Sequence, residues 1–335
     1  MLLKTQLFNI INDHTDRGYG GLYTTYLTSD VDNYYENNGT MLDMYTENPT
    51  GTECEYVYGG GLQDDGTLGN AECQRYNREH LIPQSVYSSA TPMYSDAHCV
   101  VPSDKYVNAQ RDNWPFSKVN TATNTYSNGS KKGQNLNSGY SSGYTGTVFE
   151  PIDEFKGDIA RMIFYFVTRY ESKLSGFSTG NMLGTSTYPG LQTWERDVLL
   201  AWHNLDPVSQ AEINRNNASY TFQGNRNPFI DNPNYVCDIW ITQCNTVDIL
   251  SSESFSFENK ISIYPNPAIN NEVTISSETE LKSIVLYNIN GQIIQEIKNP
   301  TRVDNSYKVN NLSSGFYLVQ LASENGVATK KVIVN

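Results

Sequence analysis

The sequence predicts an α+β fold: a mainly helical domain over residues 1–249 with a strand–loop–strand–helix segment embedded in it, a linker at 250–260, and a small all-β sandwich over 261–335. Three observations carry this. Apolar residues recur at helical spacing in 157–171 and 191–205. Between about 75 and 115 the pattern shortens to a β-like alternation before it turns helical. Beyond residue 250 the style changes to short alternating runs punctuated by Asn-Gly pairs, the sequence signal of hairpins.

Taken in order, MLLKTQLFNIIND opens the chain as an amphipathic helix, with Leu3, Leu7, Ile10 and Ile11 at helical spacing. It lacks the unbroken apolar core and small-residue cleavage site of a signal peptide, so an exported protein with this sequence has already shed its signal. Residues 117–147, rich in Ser, Asn, Gly and Tyr, read as a long surface excursion. GDIARMIFYFVTRYE places Ile159, Met162, Ile163 and Phe166 on one helical face. Residues 191–205 do the same with Leu191, Trp194, Val198, Trp202 and Leu205, which makes His203 a packed core histidine. Asp206-Pro207 reads as the N-cap and first residue of another helix. SSESFSFENK is a polar linker, and in the tail Asn290-Gly291 and Asn325-Gly326 supply tight turns.

With 335 residues and a 38% hydrophobic fraction, the chain can bury a sizeable core. No run approaches the roughly 18 apolar residues that cross a bilayer. The net charge of −13 has the wrong sign for a passive polyanion-binding module. A metal-dependent enzyme tolerates it, because a divalent cation and a local cluster of Arg supply the positive field. There is no CxxC pair, and His14, His80, His98 and His203 complete no zinc spacing. Cys54 and Cys73 flank a Gly/Asp-rich loop, and Cys237 and Cys244 flank a short segment containing Trp240. Two local disulfides, Cys54–Cys73 and Cys237–Cys244, with Cys99 left over, suit an oxidising compartment; isolated reduced thiols are the alternative.

The chemistry concentrates in NREHLIP at 77–83 and DAHCVVPSDKYVNAQRDNWPF at 96–116. Hydrolysing a phosphodiester needs a base to take a proton from water, a hard cation to stabilise the phosphorane charge, and neutralisation of the leaving oxygen. A neutral imidazole, His80, suits the first task. Carboxylate and amide oxygens suit Mg²⁺, which keeps several waters and needs only one or two protein ligands. On a strand, Glu79 and His80 point to opposite faces, so a bulge or bend is required to aim both at one site. A lone Glu-His pair is most often a surface feature. The second segment changes that, because Pro102-Ser103-Asp104 opens a helix bearing Asn108 and Arg111. Arg78 and Arg111 are candidate phosphate contacts, with a structural salt bridge as the competing reading for each. Asn113 is an alternative metal ligand or a helix-end hydrogen bond. Arg226, in QGNRNPF, lines the cleft or satisfies its own turn. Asp96 and His98 read as stabilising this segment rather than as catalytic.

These strings resemble the endonuclease I family of bacterial secreted or periplasmic nucleases, which carry a ββα-metal (His-Me finger) motif. The resemblance covers most of residues 1–245. Beyond NREHLIP it rests on VN-x-x-R-x-N-x-PF at 107–116, VFEP at 148–151, KGDIAR at 156–161, DPV at 206–208 and QGNRNPFID at 223–231. It implies that His80 is the general base, that Glu79 and Asn108 hold a single Mg²⁺ (or another divalent cation), and that DNA, often RNA too, is cut with little sequence preference. Some relatives place a phosphate-binding Arg between the two segments. Here SVYSSATPMYS has no basic residue, so Arg111 or another Arg takes that catalytic role if it is taken at all. Cys99 stands where some relatives have Asn or His, and reads as a buried strand residue.

The tail resembles the C-terminal sorting domain of type IX secretion, on IYPNP at 263–267, LYNINGQ at 286–292, LSSGFYLVQL at 312–321 and the terminal KKVIVN. A carbohydrate-binding accessory domain is the bland alternative. The resemblance implies type IX secretion machinery as a partner and delivery to the cell surface or medium via the periplasm. The expectation is a secreted, monomeric nuclease. The rival is a non-catalytic surface-binding protein on a nuclease fold, against which Glu79, His80 and Asn108 stand intact.

Overall fold

The computed structural model describes residues 2–240, 261–269, 271–277, 279–288, 292–323 and 326–334. The chain divides into two compact units, Met1–Val247 and Asp248–Asn335. The expected linker at 250–260, the Asn290-Gly291 turn, Asn325 and Cys244 lie outside the described residues.

The first unit mixes helix and strand. It opens with α1 (Leu3–Ile11) and α2 (Leu22–Ser29). An antiparallel pair, β1 (Tyr76–His80) and β2 (Val100–Asp104), leads directly into α3 (Lys105–Arg111). The region expected to be a surface excursion instead holds a three-stranded antiparallel sheet of β3 (Val119–Thr125), β4 (Lys131–Asn135) and β5 (Thr147–Glu150). Its strands were hidden because β3 is exposed along most of its length and shows no apolar alternation. The core anchors are Val148 and Phe149 on β5 and Val119 at the start of β3.

The remaining helices are α4 (Lys156–Arg169), α5 (Thr193–Leu205), α6 (Gln210–Gln223), α7 (Pro228–Asp231) and α8 (Asn234–Ile239). All 14 residues of α4 are buried, so the helix is enclosed on every side and not only on its apolar face. Helices α1, α5 and α7 pack against it. The polar residues of α4 are paired accordingly. Arg161 donates from Nε and Nη2 to Glu212 on α6 at 2.5 and 2.7 Å. On α1, Lys4 reaches in to the Val167 carbonyl at 2.6 Å and to Glu171 at 3.0 Å. Gly157 is a close-approach glycine, since a Cβ there would lie 2.1 Å from the Asp206 carbonyl oxygen.

Asp206 does not cap the helix that follows it. Its carboxylate accepts instead from the Gly157 amide in the first turn of α4, at 2.8 Å. The N-cap of α6 is Ser209. Its hydroxyl accepts from the Glu212 amide while Glu212 accepts from the Ser209 amide, a reciprocal capping box. The S-x-x-E spacing that announces it was present in VSQAE.

The second unit is all β but is not a sandwich of two separate sheets. Strands β6 (Ile261–Ile269), β7 (Glu272–Ser277), β8 (Leu281–Asn288), β9 (Ile293–Lys298), β10 (Ser306–Val309), β11 (Gly315–Ser323) and β12 (Gly326–Val334) form one sheet in the order β10-β7-β6-β12-β11-β8-β9. The sheet curls into a half-barrel around Val273, Ile275, Ile284, Leu286, Val319, Leu321 and Val332. Strand β6 makes this continuous: it pairs antiparallel with β7, breaks register between Tyr264 and Ile269, and meets β12 in parallel at Ala268.

Replacing Ser209 by Ala removes half of the capping box. We expect a loss of about 1 kcal/mol in unfolding free energy, read as a lower urea midpoint at unchanged slope. An unmoved midpoint would show that the box does not contribute.

Candidate active site

Strands β1 and β2 run in unbroken register from Tyr76↔Asp104 to His80↔Val100, so the expected bulge is not there. Both Glu79 and His80 nevertheless line one cavity of about 430 Å³, together with Tyr19, Arg78, Lys105 and Asn108. His80 is the last residue of β1, at the end of the strand where a side chain has room to turn.

Glu79 is 3% exposed and is held from two directions. The Tyr45 hydroxyl donates to Oε1 at 2.7 Å, and Arg111 Nη1 donates to the same oxygen at 2.8 Å. Burial pushes the Glu79 carboxyl above its usual range, and the adjacent Arg111 charge opposes that. Among the described residues no side chain donates to Oε2, which leaves that oxygen for another partner.

His80 sits in a stack of rings, 5.1 Å from Tyr94 at 13° and 5.6 Å from Tyr19 at 22°. Its Nε2 lies 3.1 Å from the Tyr94 carbonyl oxygen. A carbonyl can only accept, so Nε2 carries the proton and Nδ1 keeps its lone pair. Burial, reinforced by Arg78 and Arg111, holds the imidazole down to about 4 against the pull of that carbonyl. The ring is therefore neutral at neutral pH.

Asn108 is fixed by its amide nitrogen, which donates to Asn77 Oδ1 at 2.8 Å and to the Arg78 carbonyl at 3.2 Å. With both amide hydrogens used, its free end is an oxygen. The helix that carries it is capped by Asp104, whose Oδ1 accepts from the Val107 amide at 2.8 Å. Asp104 Oδ2 accepts from the Cys73 amide at 2.9 Å and from the Tyr56 hydroxyl. The Asp104 amide donates to Asp43 at 2.8 Å. Glu79 and Asn108 line the same cavity, and carboxylate and amide oxygens are the hard donors that a small divalent cation takes.

The other candidates separate. Arg111 is 1% exposed, and besides Glu79 it donates to the His80 and Leu81 carbonyls at 2.9 and 2.7 Å. Its Nη1 and Nη2 are engaged by protein acceptors, Nε is buried without a hydrogen-bond partner, and the side chain both lines the cavity and holds Glu79. Arg78 lies 3.4 Å from the Tyr19 ring centre and donates to the Tyr19 carbonyl at 2.7 Å, at the cavity wall. Asn113 also lines the cavity, and its Oδ1 accepts from the Ser85 hydroxyl at 3.3 Å. Arg226 does not line the cavity. It makes a two-point ion pair with Asp231 at 2.6 and 2.8 Å and donates to Asn217, which satisfies its own turn. Lys105 lines the cavity and pairs with Asp64 at 2.8 Å. It was missed by sequence reasoning, as were Tyr19 and Tyr45; Lys105 alone carried a signal, being the first residue after the helix cap.

Asp96 and His98 lie outside the cavity. Asp96 is fully buried and accepts from the Tyr165, Tyr170 and Gln223 side chains and the His98 amide, at 2.7–3.0 Å. Burial alone would raise its carboxyl, but the nearby histidines and these donors leave it below the usual range. Cys54 and Cys73 are disulfide-bonded. Cys99 is free and buried. The Cys237–Cys244 pairing reaches outside the described residues. Away from the cavity, Asp32, Glu36, Glu47 and Glu53 form an acidic cluster with metal-ligand spacing.

Residues 1–234 match the Endonuclease I family, and residues 262–335 match the secretion system C-terminal sorting domain. The extracellular ribonuclease of Bacillus amyloliquefaciens is 33% identical over 248 residues, covering 71% of this chain and 73% of its own. That of Bacillus subtilis (strain 168) is likewise 33% identical, covering 71% of this chain and 74% of its own. Among solved structures, PorZ, a surface component of the type-IX secretion system of Porphyromonas gingivalis, aligns at 19% identity over 26% of this chain and 13% of its own. Its TM-score of 0.20 carries no argument. No helix among the described residues is long and apolar enough to cross a membrane.

His98 yields a pH prediction. It is 1% exposed, its Nε2 lies 3.0 Å from the Asn225 carbonyl, and burial holds it down to about 4 although Asp96 pulls it up. Its folded value lies below the unfolded one, so its contribution to stability is complete above about pH 6.5 and is lost as pH falls toward about 4. The ceiling is roughly 3 kcal/mol. The stability gap between the parent and His98→Gln should therefore narrow from about pH 7 to about pH 4.5 in urea unfolding. A constant gap would contradict the assignment.

Proposed function

The chain belongs to the endonuclease I family and ends in a type IX sorting domain, and from that premise we propose that this secreted nuclease is a Mg²⁺-dependent endonuclease whose ββα-metal motif is β1, β2 and α3. One observation supports the reading most: His80, whose Nε2 faces the Tyr94 carbonyl, shares a cavity with Glu79 and Asn108. His80 Nδ1 takes a proton from the attacking water. Glu79 and Asn108 hold the cation, and Arg111 positions Glu79. When bound, Mg²⁺ supplies the positive charge that stabilises the phosphorane and the departing 3′-oxygen. Arg78 and Lys105, both at the cavity wall, contact phosphate, with Asn113 at the rim. DNA is the substrate, and RNA is a second one, as the ribonuclease relatives suggest. Cleavage has little sequence preference, as the family resemblance implies. The enzyme acts as a monomer, and Cys237 pairs with Cys244.

His80→Ala should lower the turnover rate by roughly 10²–10⁴-fold, the usual range for a positioned base, with folding intact. Asn108→Ala should shift the Mg²⁺ titration of plasmid cleavage to higher concentration, because a cation with so few protein ligands is poorly held once one is gone. Near-parental activity in the first variant removes His80 from the mechanism. An unshifted titration in the second, together with a shift in Asn113→Ala, moves the ligand to Asn113.

Every candidate catalytic residue lies within the first unit. A chain ending near residue 250 should keep its nuclease activity and Mg²⁺ dependence, and in a host with type IX secretion it should stay in the periplasm. Inactivity of the purified shortened protein would break the division of labour, and so would its normal export.

A further inference from the structure

Four carboxylates from two loops converge at a place that is not part of the cavity lining. Asp32, Glu36, Glu47 and Glu53 each present one oxygen, and these oxygens lie within 4.8 Å of one another. Among the described residues none of the four forms an ion pair with Lys or Arg. An acidic cluster alone signifies little, but Glu47 adds a separate observation. It is 1% exposed, and both of its carboxylate oxygens are buried without a hydrogen-bond donor, as is Oε1 of Glu53. A buried, unpartnered carboxylate is costly, so something must meet it.

A proton shared between Glu47 and Glu53 is one answer, and burial together with the facing Glu53 does hold Glu47 far above the usual carboxylate range. That proton satisfies only one of Glu47's two oxygens. A cation meets all four. The donor set is entirely hard oxygen. Oxygens within 4.8 Å of one another fit around Ca²⁺ at about 2.4 Å, and four protein carboxylates suit Ca²⁺, which takes many oxygen ligands, better than Mg²⁺, which keeps several waters and usually takes one or two carboxylates. We propose that Asp32, Glu36, Glu47 and Glu53 form a Ca²⁺ site that stabilises the fold and is separate from the cation held at Glu79 and Asn108.

The site braces the nuclease cavity through one turn. The Glu47 amide donates to the Asp43 carbonyl at 2.8 Å, closing residues 43–47. From that turn Tyr45 reaches Glu79, and Asp43 receives the Asp104 amide at the head of α3. The Asp32 loop is already shaped, since its carboxylate accepts from the amides of Tyr34, Tyr35 and Asn37 at 3.0–3.1 Å. Its ion therefore anchors a preformed loop to the turn that supports the cavity.

The test uses the full chain stripped with EDTA, and its readout is thermal, so it does not depend on the nuclease reading. Adding millimolar CaCl₂ should raise Tm by on the order of 5 °C once Ca²⁺ exceeds its dissociation constant about a hundredfold. Asp32→Asn and Glu47→Gln should abolish that rise, and Glu36→Gln, at an exposed position that folding tolerates, should move its midpoint at least several-fold higher. Asn108→Ala should respond as the parent does. Tb³⁺ luminescence sensitised by the adjacent Tyr34 and Tyr35 should follow the same order across the variants. A parent Tm indifferent to Ca²⁺ would overturn the proposal. So would a response lost in Asn108→Ala yet intact in Glu47→Gln, which places the ion at the cavity. Parental stability of Glu47→Gln in EDTA with an undiminished Ca²⁺ response would establish the shared proton instead.

Discussion

A carboxylate buried at the end of a strand must be given a counter-charge, and Arg111 provides one to Glu79. The remaining geometry of the cavity follows from this pairing. Arg111 comes from the last turn of α3, so its reach to Glu79 and to the carbonyls of His80 and Leu81 fixes the helix against β1. Once the helix is fixed, Asn108 three residues earlier is delivered to Asn77 and Arg78, and its oxygen is left facing outward from those bonds. Removing either member of such a buried pair strands the other charge, which is far costlier than the pair's net contribution. The arrangement is therefore stabilised less by the attraction itself than by the penalty for breaking it.

The chemistry-bearing residues were legible because they are consecutive or helically spaced: Glu79 and His80 adjoin, and Asn108 and Arg111 lie one turn apart on α3. What joins them was not legible. Tyr45 and Tyr94 contact the pair from distant points in the sequence, and Tyr is so abundant here that no single one stands out. Arg111 and Arg226 occupy similarly polar surroundings in sequence, but the acceptors that claim each of them are set by tertiary packing. The sheet over 119–150 was unreadable for another reason. An exposed strand built from Thr, Asn and Ala has no apolar face to betray its period of two. The cap of α6 is a different case, because Ser209 and Glu212 had the right spacing and Asp206-Pro207 drew attention from them.

The overall charge of −13 and the cavity differ in sign of purpose. Arg78, Lys105 and Arg111 lie together at the cavity, against Glu79 and Asp112. Much of the acidity sits elsewhere, and four of its carboxylates crowd into the cluster at Glu47. Arg78 and Lys105 give the cavity local positive charge, whose attraction for an anion added salt screens.

The bond between Cys54 and Cys73 has a reach beyond its own loop. The Cys73 amide and the Tyr56 hydroxyl, from the two ends of the segment that this bond closes, both land on Asp104, the residue that starts α3. The first turn of the helix bearing Asn108 is accordingly clamped by a covalent tie that the reducing cytosol does not sustain. This brace on the head of α3 therefore persists only where thiols stay oxidised, beyond the cytosol.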